Sequence, residues 1–147
     1  MPLSLQDRLD ILDLCARYNR SVDSGDAEGW LAVWTEDGVF ETPFGTFKGH
    51  KALRSFLRMF VSMGGRGRRH WSGNFVLEGE GDGARLWATL LLVSTQGTPS
   101  LFATGTYTDT LQRVGGAWRF KHRKLALDSM EWMKAVRPPS PGAPKPG

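Results

Sequence analysis

The stretch HWSGNFVLEGEGDGARLWATLLLVSTQGTPSLFATGTYTDTLQRVGGAWRFKHRKLALD, residues 70–128, decides the fold. Apolar and polar residues alternate along it, and turn-rich joins at Gly79–Gly83, Gly97–Pro99 and Gly115–Gly116 divide it into four runs. Alternation with period two puts successive side chains on opposite faces of an extended chain. Four long strands are therefore predicted: His70–Glu80, Arg85–Gln96, Ser100–Arg113 and Ala117–Asp128. Joins this short make consecutive strands antiparallel neighbours. The run LWATLLLV (86–93) is apolar on both faces, which requires cover on both. Helices can cover one face. A second copy of the chain on the other is the basis for expecting a homodimer or higher homo-oligomer.

Upstream the period changes to that of a helix. Residues 4–24 read as an amphipathic helix capped by Ser4, with Asp7 near the positive end of its dipole. One apolar stripe runs Leu5, Leu9, Leu12, Ala16 and a second runs Ile11, Cys15, Tyr18, Val22. Gly25 ends the helix, as a residue tolerant of positive φ should. A short helix over Ala27–Trp34 follows, with Asp26 as its cap and Trp30, Leu31 and Trp34 on its buried face. Gly38–Lys48 reads as a β-hairpin turning at Pro43–Gly45. A third helix, Lys51–Met63, carries Leu53, Phe56, Leu57, Phe60 and Met63 at 3–4 spacing, and Gly64, Gly65 and Gly67 break it. Helices first and a sheet afterwards define an α+β domain over residues 1–129. The remainder, 130–147, holds five of the eight prolines and reads as a disordered or loosely docked tail.

Composition narrows the function. The chain is 40% hydrophobic and 23% charged, ordinary for a globular domain. No apolar run approaches a membrane span, and the opening MPLSLQDRLDIL lacks the basic and apolar regions of a signal peptide. A cytoplasmic protein with no membrane partner is expected. Half of the formal charge of +4 lies in residues 130–147, where Lys134, Arg137 and Lys145 outnumber Glu131. So small a surplus on the folded part gives no footprint for nucleic acid. Arg66, Arg68 and Arg69 still form a local basic cluster, read either as a solvated edge or as a contact for an anionic substrate or partner. The single cysteine, Cys15, sits in an apolar stripe and reads as a buried hydrophobe.

The candidate chemistry rests on few residues. Stepping back from Asp23 along its helix gives Asn19, Ala16 and Leu12, so an acid continues an apparently buried row. Such a carboxylate needs a partner. It either ends the helix by binding nearby backbone amides or serves a pocket. His70 opens the first long strand and shares parity with Ser72 and Asn74, a polar set that faces either a pocket or water. Histidine is the side chain best suited to proton transfer near neutral pH. His122 shares parity with Trp118 and Phe120, which would aim it inward and Arg123 outward. Tyr18 and Tyr107 offer hydroxyls, and Trp30, Trp34, Phe40 and Phe56 offer apolar walls. His50 reads as a loop or cap residue. Three scattered histidines give no metal-ligand spacing, and no nucleotide-binding or nucleophile-elbow motif is present. No cofactor and no metal are expected.

The segments YNRSVDSGDAEGWLAVWTEDGVFE (18–41), GTFKGHKALRSFL (45–57), RHWSGNFVLE (69–78), ATGTYTDTL (103–111) and GAWRFKHRKL (116–125), in that order, resemble the SnoaL-like branch of the nuclear transport factor 2-like superfamily. The resemblance spans about residues 5–128. It implies a cone: a strongly curved antiparallel sheet whose N-terminal helices close a largely apolar central pocket. Dehydratases, dehydrochlorinases, polyketide cyclases and ketosteroid isomerases share this fold. So do the non-catalytic small subunits of ring-hydroxylating dioxygenases. In the dehydratase-like and dehydrochlorinase-like members, a first-helix Asp pairs with a His on the first long strand, and Asp23 and His70 occupy those places. The scytalone dehydratase pattern also uses a second histidine on a later strand, with tyrosines that hold a catalytic water; the middle strands here carry no histidine, and His122 on the last strand does not clearly replace it. The resemblance thus implies a lyase or isomerase acting by proton abstraction on a small hydrophobic, cyclic molecule, with Asp23 and His70 as the catalytic pair. The alternative is a binding or assembly subunit.

Overall fold

Residues 2–133 are described by a computed structural model. The order of elements is α1 (Leu5–Ser24), α2 (Ala27–Leu31), β1 (Trp34–Thr42), β2 (Gly45–Lys48), α3 (Gly49–Ser62), β3 (Arg68–Glu80), β4 (Gly83–Ser94), β5 (Ser100–Val114) and β6 (Ala117–Leu127). The six strands form one curved, unclosed sheet in the order β2-β1-β6-β5-β4-β3. β3 to β6 are antiparallel neighbours, as their short joins require, and the β1–β2 hairpin is antiparallel too. The hairpin attaches through β1, which runs parallel to β6 and makes the sheet mixed.

Each helix has a local cause. Ser4 and Asp7 make a reciprocal capping box: Ser4 Oγ accepts from the Asp7 backbone N–H at 3.1 Å, and the Ser4 N–H donates to Asp7 Oδ2 at 2.9 Å. The same carboxylate accepts from Trp118 Nε1 at 3.2 Å and pairs with Arg113, tying the start of α1 to the β5–β6 turn. The Ser4 hydrogen bonds, and after them Trp118 and Arg113, hold the Asp7 carboxyl below its usual range. Gly25 closes α1 at φ 72°, in the left-handed region. Asp26 caps α2 by accepting from the Gly29 N–H. That helix is shorter than its apolar spacing suggests: it ends at Leu31, and Trp34 already belongs to β1.

The core contains one of the two expected stripes of α1. Ile11, Leu14, Cys15, Tyr18 and Val22 are buried, whereas Leu5 is 75% exposed and Leu9 53%. Both rows are apolar in sequence. Only the one facing the sheet can be covered, and Tyr18, at the centre of the aromatic core, belongs to it. Burying a side chain such as Ile11 contributes about 1.5–3 kcal/mol. α3 packs its Leu53, Phe56 and Leu57 face near β1 and β2. On β4 the alternation is regular: Ala84, Leu86, Ala88, Leu90 and Leu92 face inward and are buried.

Part of the outer face of the sheet, on β3, β4 and the start of β5, is apolar. Trp71 is opposite Leu91, Val76 opposite Trp87, and Leu101 opposite Val93. Trp71, Val76 and Leu101 are each more than half exposed. No described helix is long and apolar enough to cross a membrane. The Pro-rich segment expected to be loose lies, from residue 134 onward, outside the described residues. Before it, Trp132 packs against Phe44 and Phe102.

Candidate functional site

The last turns of α1 lie along β3, and the two repeats match. Asn19 and Asp23 are one i,i+4 step apart, a rise of about 6 Å on a helix. Ser72 and His70 are one i,i+2 step apart, about 6.6 Å on a strand. Both pairs meet: Asn19 Nδ2 donates to Ser72 Oγ at 3.2 Å, and His70 Nδ1 lies 2.7 Å from Asp23 Oδ1. The His70 backbone N–H also donates to both oxygens of the Asp23 carboxylate, at 3.1 Å each. The acid is thus held by the main chain and by the ring together. The row Leu12, Ala16, Asn19, Asp23 is therefore a flank facing β3 and not part of the buried core: Ala16 is exposed, and so is Leu12.

The carboxylate acceptor places the proton on Nδ1 and leaves Nε2 as the basic nitrogen. Nε2 has no hydrogen-bond partner among the described residues. The His70 side chain is only 7% exposed and borders an internal cavity of about 60 Å³. Tyr18, Phe40, Phe56, Phe60, Leu90 and Tyr107 line this cavity, as do the half-buried Phe102, Arg68 and Trp132. Phe60 packs 5.5 Å from the His70 ring, centre to centre. The lining is almost wholly apolar, so few dipoles compete with the imidazole. The volume is less than half of the ~150 Å³ that accommodates benzene in an engineered cavity. A cyclic molecule can enter only if lining side chains move. Asp23 also borders a broad surface groove of about 1150 Å³ between α1 and the β5–β6 turn, which gives its carboxylate access to solvent.

Tyr18, Phe40, Phe56 and Tyr107 line the cavity as expected from the sequence. Four other candidates lie elsewhere. Trp30 and Trp34 are core residues behind the wall, with Trp30 stacked on Phe56 at 5.7 Å. Asn74 is exposed outside the cavity, its Nδ2 3.4 Å from Thr89 Oγ1. A bulge between Gly73 and Val76, with Asn74 at φ 52°, reverses the parity of β3 there and turns Phe75 and Leu77 toward the core. His122 is likewise outside, 2.6 Å from Glu41. A bulge between Phe120 and His122 moves Arg123 to the inner face instead. His50 sits in the first turn of α3.

Arg123 and Asp109 are the polar core residues that sequence reading missed. They are opposite one another on β5 and β6 and form a bidentate ion pair, with both bonds 2.8 Å. Their side chains are essentially inaccessible. The guanidinium lies 3.7 Å from the Tyr107 ring centre and 4.4 Å from that of Tyr18. Burial opposes the Arg123 charge, but the Asp109 carboxylate outweighs it and keeps the guanidinium ionised. Burial raises both tyrosine hydroxyls above their usual range, more than Arg123 lowers them, so they stay protonated donors at neutral pH. Burial also pushes the Cys15 thiol up to about 12, which leaves it unreactive.

Comparison with known proteins agrees with this architecture. The family model described as a SnoaL-like domain matches residues 3–124. A protein of unknown function with a cystatin-like fold from Nostoc punctiforme is 28% identical, with 88% of this chain and 97% of that one covered and a TM-score of 0.83. An NTF2-like protein with a cystatin-like fold from Novosphingobium aromaticivorans is 30% identical over 90% of this chain and 89% of that one, with a TM-score of 0.77. A function-unknown protein from Mycobacterium tuberculosis is 29% identical over 90% of this chain and 78% of that one, with a TM-score of 0.75. No curated protein matches.

Proposed function

The chain belongs to the SnoaL-like family, and from that premise we propose that its cavity houses a lyase or isomerase acting on a small hydrophobic, cyclic molecule. The observation that carries this reading is the 2.7 Å contact of His70 Nδ1 with Asp23 Oδ1 at the wall of an aromatic cavity. His70 Nε2 removes a proton from a carbon beside a carbonyl or a leaving group. The electron pair of the broken C–H bond moves toward the carbonyl oxygen or expels the leaving group. Asp23 orients the ring and stabilises the imidazolium that forms. The Tyr18 and Tyr107 hydroxyls, protonated because they are buried, supply donors for developing negative charge. The apolar lining excludes water and strengthens each of these interactions.

The test is proton loss from a panel of cyclic ketones and halogenated rings in heavy water, followed by NMR. The wild-type protein should exchange or eliminate a proton from at least one compound. His70→Ala and Asp23→Asn should each slow that reaction by about 10²–10⁴-fold while remaining folded. Turnover that survives both substitutions rules this chemistry out.

A second reading, as a non-catalytic assembly subunit, draws on the outer sheet face, where Trp71 is 68% exposed and Leu101 61%. Exposed apolar rows of this kind mark association surfaces. The same face supports self-association of an enzyme, and we favour a second copy of this chain as its partner. Activity without any added protein separates the two readings.

A further inference from the structure

We propose that Arg68 is an anion-recognition residue of the cavity, so that the ligand is a ring carrying a carboxylate seated on Arg68 while its acidic carbon faces His70. The proposal rests on the reading of Asp23 and His70 as a base and adds the substrate class.

Position comes first. Arg68 and His70 are two residues apart on β3 and share its inner face, whereas Arg69 and Trp71 between and beyond them are exposed. Two strand residues span about 6.6 Å, roughly the length of a six-membered ring with one substituent. Both side chains border the same cavity. The imidazole is buried, with 7% of its side chain exposed, and Arg68 is half-buried.

Charge comes second. Several other cations of the fold have carboxylate partners, among them Arg17 with Asp13, Arg54 with Glu28, Arg113 with Asp7, Lys121 with Asp37 and Arg123 with Asp109; unpaired ones such as Arg58, Arg66 and Arg69 are exposed to water, whereas Arg68 is half-buried. Arg68 has none among the described residues, and no hydrogen bond either. Its guanidinium instead lies over Phe102, 3.9 Å from the ring centre, and 6.0 Å from that of Phe60. Stacking of this kind occupies the flat face of the group and leaves the in-plane N–H donors free for a planar, two-oxygen acceptor. Partial burial draws the Arg68 pKa down, the sign of a cation that has lost water without gaining a counter-charge. A carboxylate entering with the ligand restores that balance. Exposed Arg66 and Arg69 on either side add to the attraction.

The experiment compares phenylacetate with its neutral analogue phenylacetamide by NMR titration of the full chain. Wild-type protein should bind the carboxylate on the order of ten- to hundredfold more tightly, the range of one charge-assisted hydrogen-bonded contact. Arg68→Met should abolish the preference for the carboxylate over phenylacetamide. Arg68→Lys, which keeps the charge but not the fork, should retain part of it. Equal affinities in the wild type, a preference that persists in Arg68→Met, or no saturable binding of phenylacetate overturns the proposal. The same titration on His70→Ala separates this claim from the catalytic one. The carboxylate preference should persist there, so a dyad that proves inactive leaves the role of Arg68 standing. A failed preference in turn leaves the dyad to be judged by turnover.

Discussion

The ring and the main chain of His70 converge on one carboxylate: Nδ1 lies 2.7 Å from Asp23 Oδ1 and the backbone N–H 3.1 Å from both of its oxygens. Asp23 is therefore structural as well as chemical. Asp23→Ala removes the acceptor for a partly buried backbone donor and should cost about 1–3 kcal/mol in urea unfolding. Asp23→Asn keeps one acceptor oxygen and should cost less. Equal losses for the two would mean that the backbone bond contributes nothing.

The Arg123–Asp109 pair predicts a different pattern. Asp109→Asn leaves a guanidinium buried among Tyr18, Tyr107 and Phe120 without a counter-charge. A loss of about 3–5 kcal/mol is expected. The double variant Asp109→Leu, Arg123→Met removes both charges and should recover much of it. A double variant less stable than either single one would show that the pair stabilises beyond its own cancellation.

Entry to the cavity should depend on Trp132. Its ring packs 5.0 Å from Phe102 and 5.9 Å from Phe44, with a buried indole N–H that has no partner among the described residues. Trp132→Ala should raise the association rate of phenylacetamide several-fold in stopped-flow binding. An unchanged rate places the mouth elsewhere.

If a second copy covers the outer face, a charge in the middle of the apolar row should release it. Leu91, opposite Trp71 and Thr104, is the residue to change. Leu91→Glu should shift the mass measured by light scattering to that of a monomer at constant helix and strand content. A native protein that is monomeric at working concentration removes the hypothesis.

Legibility of the fold in the sequence followed regularity. On β4 the alternation Ala84, Leu86, Ala88, Leu90, Leu92 runs without interruption, but with apolar residues on both faces parity alone does not say which face is the inner one. Parity failed at the two bulges, each of which reverses every side chain beyond it. Gly73–Asn74 within β3 is a recognisable bulge signal, so the outward position of Asn74 was accessible. The bulge at His122 carries no such mark, and Arg123 appeared to face outward for that reason. Asp109 carries a signal in the sequence: it shares parity with Tyr107 and Leu111, and all three side chains are buried. On α1 two apolar rows competed, and composition does not say which one meets the sheet. Asp23 continues the exposed row, Leu12 and Ala16, and not the buried one. Its contact with His70 depends on the match of helix and strand rises, which only three-dimensional packing shows.

The central claim is that His70 is the base of the site, with its Nδ1 proton directed at Asp23. The direct measurement is the pair of imidazole ¹⁵N chemical shifts of His70 at neutral pH, assigned by comparison with His70→Ala. The account predicts a protonated, pyrrole-like Nδ1 and an unprotonated, pyridine-like Nε2, and loss of that tautomer preference in Asp23→Asn. A proton on Nε2, or shifts unaffected by the Asp23 substitution, contradicts it.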